Sequence, residues 1–412
     1  MKNRMSFSRA RRAACVFGVF CAFWVAAPAG ALDLGALLQG DASFTGGGAG
    51  NDGFFAGSGS LTPWISVLLG DQGDLFAAAR LTVSGDNEAV AVIPELLRAE
   101  LEFRSPNMGI QVGRMNYRAP LDFVAGGLFD GLRFSRRAGG GTVYLGAWYT
   151  GLLFKKSANI TMNWGDSNEN NRPLNYGKFY DTYFASKRAL TALGFEHPAL
   201  GGLLQAKAAF IGQADLNPLD DLIRPNHLHS QYLIAAVEAP LAWRQSTVEG
   251  GAALEMAHSD DEDSSERWLA MAAEARFSFR LTDIFHDQIS VLGRFSSAEK
   301  GHTFTPITTS GQGNVFQGNL SGLSLVQAEY TARLTKTLAA DLSAFVFFQN
   351  PETPYVHPYV AVDGYILGYE FDGFIVWSPF SDLSLKMNAG VFIPQDGRPW
   401  GKVALTATMA VY

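Results

Sequence analysis

Hydrophobic and polar residues alternate one for one through long stretches of the chain. In residues 269 to 281 every second position is apolar, and Glu274 and Arg276 stand between apolar neighbours. Residues 97 to 104 and 383 to 393 repeat the pattern. Because successive side chains of a β-strand point to opposite faces, the alternation predicts strands with one apolar face and one polar face.

The length and charge of these stretches distinguish two all-β folds. Strands of soluble sheets usually contain about five or six residues, whereas a tilted strand that crosses a membrane needs about nine to eleven. A soluble β-protein with one wet face is the alternative, but so many ionic side chains do not suit the centre of a sandwich. We therefore predict an all-β fold, a transmembrane antiparallel up-and-down β-barrel.

Short and long connections alternate along the chain, and their number predicts the number of strands. The short ones lie near 71–73, 105–107, 139–141, 200–201, 240–242, 282–283, 335–337 and 379–381. The longer ones lie near 45–53, 85–91, 115–129, 155–178, 214–227, 259–266, 298–320, 350–361 and 394–399. Eight short and nine long connections predict eighteen strands, with sixteen as the alternative count. An even number places both chain ends on the periplasmic side and the long loops outside.

The start of the chain has the features of an export signal. A basic stretch precedes the apolar residues 13 to 27, and Ala29-Gly30-Ala31 follows as a small-residue cleavage site. This order predicts a signal peptide over residues 1–31 and a barrel over residues 32–412. Both cysteines fall inside the signal. We expect a location in the bacterial outer membrane, with membrane lipid and the barrel-assembly machinery as partners.

Net charge and motifs exclude several other functions. The chain has 32 Lys and Arg against 39 Asp and Glu, a net charge of −7, which argues against nucleic acid as a partner. The acidic run 260–263 matches no calcium loop, and His227-Leu228-His229 could be half of a metal site but has no evident third ligand. No motif supports a catalytic site. We therefore expect no enzyme activity, no cofactor and no metal.

Residue parity within each predicted strand assigns the side chains that line the pore. The principal candidates are Arg80, Arg98, Arg104, Arg133, Arg137, Arg188, Arg276, Arg280, Arg294, Arg333, Glu370 and Asp372. Arginines dominate the first half of the wall and acids increase towards the last third. In a closed barrel these arcs would face each other and produce a transverse field that orients dipolar or anionic solutes.

The connection over residues 115–129 is the candidate constriction of the pore. It is unusually apolar for an exterior loop, which predicts that it packs inside the barrel, with folding over the rim as the alternative. In the interior it would bring Arg118 and Asp122 close to Arg98 and Arg133.

Two short sequences resemble known outer-membrane families. Gly113-Arg114 followed by Phe129-Asp130-Gly131-Leu132-Arg133 resembles a stretch of porins and alginate-export-type barrels. Leu367 to Asp372, followed by Phe392-Ile393-Pro394, is similar to the closing strands of the alginate-export family. The resemblance implies an eighteen-stranded barrel that passes an anionic or polar solute.

These features together predict a porin-like channel for the passive diffusion of small polar or anionic solutes, with anionic saccharides among the candidates. The alternative is a structural or adhesive barrel that acts through its extracellular loops. A transporter of hydrophobic compounds would need an N-terminal plug and an apolar lumen, and neither is evident in the sequence.

Overall fold

The structure is a computed structural model. It describes residues 32–47, 53–86, 90–219, 226–243, 245–260, 265–282, 285–299, 302–350 and 365–412. The predicted signal peptide lies outside the described residues.

Eighteen strands form one sheet. They are β1 (Leu32–Gly47), β2 (Phe54–Leu69), β3 (Gly73–Asp86), β4 (Val90–Arg104), β5 (Met108–Arg118), β6 (Gly126–Ala138), β7 (Gly141–Tyr149), β8 (Arg188–Leu200), β9 (Leu204–Asp215), β10 (His227–Leu241), β11 (Ser246–Asp260), β12 (Ser265–Thr282), β13 (Asp287–Ser296), β14 (Leu323–Arg333), β15 (Leu338–Gln349), β16 (Ile366–Phe380), β17 (Leu383–Pro394) and β18 (Trp400–Val411).

Each strand pairs antiparallel with its neighbours in sequence, and the first strand pairs with the last. Asp41 of β1, for example, lies opposite Ser58 of β2 and Thr406 of β18. Closure leaves no free edge, so every wall strand has backbone partners on both sides. The prediction of an eighteen-stranded up-and-down barrel is confirmed.

The outer surface of the barrel is apolar, as the alternation requires. Leu233 on β10 and Leu254 on β11 are each more than half exposed, whereas Ile234 and Ala253, one residue along, are completely buried. Exposed leucine, valine and phenylalanine recur around the wall. This surface suits contact with lipid.

In β4 the alternation of inward and outward side chains shifts by one residue partway along the strand. In β4 the register with β3 passes from Arg98 directly to Leu96, so Leu97 is the extra residue of a bulge. The outward apolar residues are therefore even-numbered before the bulge and odd-numbered after it. As a result, both Glu95 and Arg98 face inward.

The turns and loops alternate as predicted, but one loop is shorter than expected. Residues 115–118 belong to β5 and residues 126–129 belong to β6. The connection therefore contains only residues 119–125, because the backbone pairing of β5 and β6 continues to Arg118 and Gly126.

Two other connections carry structure of their own. Residues 150–187 contain α1 (Lys155–Ala158), α2 (Trp164–Asn171), a 3-10 turn (Tyr176–Lys178) and α3 (Phe179–Tyr183). Residues 297–322 contain a short ladder between Ala298–Glu299 and His302–Thr303. None of the helices in the described residues is long and apolar enough to span a membrane.

Candidate functional site: a lumen narrowed by three loops

Loop A, residues 119–125, folds into the barrel. The backbone N–H of Ala119 donates to the carbonyl of Ala125 (2.9 Å), which closes the loop, and Leu121 and Phe123 are buried. A methyl group at Gly251 of β11 would lie 2.6 Å from Leu121 Cδ2. Since β11 is six strands away from β5 in the barrel, loop A reaches a distant part of the wall.

Loop A packs against the inner wall, but its charged residues lie elsewhere than expected. Arg118 and Asp122 form an exposed ion pair with each other at 3.4 Å. Arg98 instead pairs with Glu100, and Arg133 with Glu196. The apolar residues Leu121 and Phe123 hold the loop in the lumen, because their burial removes apolar surface from water. Asp122 remains exposed to solvent.

Loop B, residues 150–187, is tied to the wall by a buried charge cluster. Arg188 at the start of β8 is fully buried and its Nη2 contacts Asp166 of α2 (2.5 Å) and Asp215 of β9 (3.1 Å). Its Nη1 donates to the carbonyl of Leu228 (3.0 Å). Two carboxylates and a carbonyl thus compensate a guanidinium that has no access to water.

Other side chains of loop B form hydrogen bonds to the end of a wall strand and to the backbone of the loop itself. Tyr183 Oη donates to the carbonyl of Pro94 on β4 (2.5 Å), and burial raises the pKa of Tyr183 to about 12. Lys155 Nζ donates to the carbonyls of Glu169 (2.9 Å) and Arg172 (2.6 Å). Burial, together with the nearby cations Lys156 and Arg172, lowers the pKa of Lys155 to about 8, since both effects disfavour the charged amine.

Loop C, residues 297–322, crosses the lumen and is held first at β10 and β11. The N–H of Thr305 donates to Glu255 Oε2 (2.7 Å), and Tyr232 Oη donates to the carbonyl of Thr305 (2.6 Å). Ser230 Oγ donates to the other oxygen of Glu255 (2.9 Å). Glu255 and Tyr232 are completely buried, so this anchor is dry.

A second carboxylate holds the far part of loop C, near β16 to β18. Glu370 of β16 accepts the N–H groups of Asn314 (2.6 Å), Val315 (3.0 Å) and Phe316 (2.6 Å). Asn314 Nδ2 also donates to Asp372 (3.3 Å), and Lys402 Nζ of β18 donates to the Asn314 carbonyl (3.3 Å). Three backbone donors on one carboxylate form a strong, charge-assisted attachment.

The three loops also contact one another. The N–H of Ile307 donates to the carbonyl of Val124 in loop A (2.8 Å), and Thr309 Oγ1 lies 2.6 Å from Thr161 Oγ1 in loop B. The rings of Phe123 and Phe304 pack edge to face. The loops thus form one connected body inside the barrel, the loop plug, defined as loops A, B and C.

The wall arginines are paired locally with acids. Arg80 contacts Glu95 (2.9 Å), and Arg294 contacts Glu274 (2.7 Å). The pairs Arg98–Glu100, Arg104–Glu102, Arg133–Glu196 and Arg276–Glu329 follow the same rule. These pairs weaken the predicted field between an arginine arc and an acidic arc, because each dipole is short and its potential falls off quickly.

The remaining predicted lining arginines lie near the short-turn end. Arg137 is exposed, Arg280 Nη1 donates to Gln245 Oε1 (2.6 Å), and Arg333 Nη2 donates to the Lys336 carbonyl (3.0 Å). All three occupy positions that face the inside of the barrel in the alternation of their strands.

Three of the predicted lining residues do not face open lumen. Arg188 and Glu370 are fully buried and Asp372 is 5% exposed. The expectation that they line the path is wrong, because loops B and C cover them. Asp166 and Asp215, the partners of Arg188, were missed, since no sequence pattern connects a loop helix with a strand end.

One sector of the wall stays free of the loop plug's main anchors. On β1, β2 and β3 the inward side chains are mostly small and polar, and most of them are half-buried, although Thr62 and Ala78 are buried. Asp41 accepts hydrogen bonds from Gln39 (2.9 Å), Ser58 (3.2 Å) and Thr406 (2.8 Å). We call β1 to β3 the open sector.

Comparison with known proteins shows the fold. No protein-family model matches the chain, and no curated protein matches it. Among solved structures, Pseudomonas aeruginosa OccK1 (OpdK) superposes with a TM-score of 0.61 at 12% identity, covering 92% of this chain and 98% of that one. P. aeruginosa OpdQ gives 0.60 at 12% identity, covering 92% and 99%. OpdK with vanillate gives 0.60 at 11% identity, covering 92% and 98%.

Proposed function

We propose that the protein is a porin-like channel of the bacterial outer membrane that passes small polar solutes. The observation that carries the proposal is the loop plug, which narrows a closed barrel while the open sector keeps a polar, half-exposed lining. OpdK, which shares the fold, is an outer membrane protein and has been crystallised with vanillate. A narrow polar passage in a membrane barrel selects solutes by size and by contact with its wall.

The charge preference of the passage is proposed to be a modest preference for anions. The wall arginines favour anions, but their paired carboxylates offset most of that charge. A polyanion of the alginate type would need a lining rich in uncompensated cations. Small polar or singly charged solutes fit this lining better.

Reconstitution in a planar lipid bilayer tests the channel directly. Stepwise single-channel currents are expected from the purified protein. A complete absence of current steps, from protein shown to be folded, would contradict the proposal.

The same bilayer measures the charge preference. Changing Arg98, Arg133 and Arg276 together to Glu should shift the reversal potential in a salt gradient towards cation selectivity. An unchanged reversal potential would show that these residues lie off the conducting path. Arg104, which is exposed at the short-turn end, offers a matched single Arg→Glu control with a smaller expected shift.

A structural or adhesive barrel remains the second candidate, because three loops cross the lumen. This candidate predicts no current from the native protein but current after removal of loop C. The channel proposal predicts current from both.

A further inference from the structure

Three histidines gather on the outer face of the barrel at its long-loop end. His227 and His229 lie on β10, and His258 lies on β11. They lie on the same outer face of their strands as Leu233 and Leu254. The outward-facing residues of β10 and β11 thus end in histidines at the rim. The chain contains seven histidines, and three of them share this patch.

Strand pairing brings the three rings together. His229 lies directly opposite His258, and His227 lies opposite Asp260. Ring centres are 5.8 Å apart for His227 and His229, and 6.3 Å apart for His229 and His258. In a tetrahedral zinc site with Zn–N bonds of about 2.0 Å, the ring centres lie roughly 5 Å apart. His227 and His258 lie diagonally across the two strands, so a shared metal requires all three rings to rotate towards one point.

The surroundings of the rings also suit a metal. His227 Nδ1 is buried and has no hydrogen-bond partner within the described residues. His258 Nε2 is hydrogen-bonded to Asp260, the carboxylate–histidine contact that orients many zinc ligands and leaves the other nitrogen to bind.

We propose that His227, His229 and His258 form a binding site for a divalent transition cation such as Zn²⁺, with Asp260 as a fourth ligand or as the orienting carboxylate. The pair His227-Leu228-His229 supplies half of the site, and β11 supplies the third ligand that the linear sequence does not reveal. Imidazole ligands favour zinc, copper and nickel over magnesium or calcium.

Two long hydrogen bonds occupy ring nitrogens of the histidines. Within the described residues no group of three or more ligating side chains is already arranged to hold a metal ion. Arg267 Nε donates to His258 Nδ1 (3.3 Å), and the N–H of Asp215 donates to His229 Nδ1 (3.2 Å). The metal must displace Arg267 from His258, which makes Arg267 a competitor for the site.

Calorimetric titration of detergent-solubilised full-length protein, purified without a histidine tag, with ZnCl₂ tests the proposal. One Zn²⁺ per chain is expected, and His229→Gln or His258→Gln should each weaken binding by about tenfold or more. His302→Gln is the matched control, because His302 stacks on the inward-facing Trp268 of the adjacent strand β12. It should leave the affinity unchanged.

Arg267→Gln provides a test that does not remove a ligand. It frees His258 Nδ1 and removes a positive charge, so Zn²⁺ should bind more tightly than to the native chain. Absence of stoichiometric binding, equal weakening by His302→Gln, or weaker binding by Arg267→Gln would overturn the site.

Discussion

The packed sector of the wall, where the loop plug covers β10 and β11, differs from the open sector although both share one sequence pattern. On β10, in the packed sector, the inward Ser230, Tyr232 and Ile234 are buried. On β1 and β2, in the open sector, the inward Asp41 and Ser58 are only half-buried. Both sectors have exposed apolar residues outside. The alternation therefore defines the wall, whereas the loops decide which part of the wall is covered from inside.

Among the substitutions that distinguish the two sectors, Arg188→Ala should cause the largest loss of stability. This change leaves Asp166 and Asp215 buried without their cation, which should cost about 3–5 kcal/mol of unfolding free energy. Urea unfolding in lipid vesicles, followed by tryptophan fluorescence, measures the loss.

Arg104→Ala on β4 is the matched control for Arg188→Ala. Arg104 also pairs with an acid, Glu102, but its side chain is 75% exposed, so the cost should be about 1 kcal/mol or less. Equal losses of unfolding free energy in the two variants would show that Arg188 does not act as a buried anchor.

A smaller effect is expected from Glu370→Gln. The neutral amide replaces a carboxylate that accepts three backbone N–H groups, which should weaken the attachment of loop C by about 1.5–3 kcal/mol. Single-channel recordings should then show a larger or noisier current than the native protein. Asp41→Asn, an acid in the open sector that holds no loop, should change neither the stability nor the noise to this extent.

The smallest of the three effects is expected from Gly251→Ala. The added methyl would lie 2.6 Å from Leu121 Cδ2 and 2.7 Å from the carbonyl of Ala235, and such overpacking costs about 1–3 kcal/mol. We expect increased proteolysis at loop A. Gly59→Ala adds a methyl that meets nothing within 4 Å, and proteolysis as low as in the native chain is expected there. No difference between the two variants would contradict the contact of loop A with β11.

Strand number and the parity of most strands could be predicted because they depend on local residues. Leu269 and Met271 are exposed and Ala270 is buried, as the alternation requires. The bulge at Leu97 could not be predicted, since one extra residue in a strand leaves the local composition unchanged. It is visible only in the register with β3.

The candidate site was predicted less completely than the wall. The apolar character of loop A predicted inward packing, because exposing Leu121 and Phe123 to water would be unfavourable. The covering of Glu370 by loop C had no local signal, since its partners Asn314, Val315 and Phe316 are more than fifty positions away. Parity identifies which face a side chain occupies but not what lies over that face.

The central claim is that the loop plug narrows a conducting barrel. Its most direct test is the single-channel conductance of the native protein against a variant in which residues 304–318 are replaced by a short glycine–serine linker. We predict that the native protein conducts and that the variant has a clearly larger conductance, because the linker cannot reach Glu255, Glu370 or loops A and B. Equal conductance in folded native and variant barrels would contradict the account.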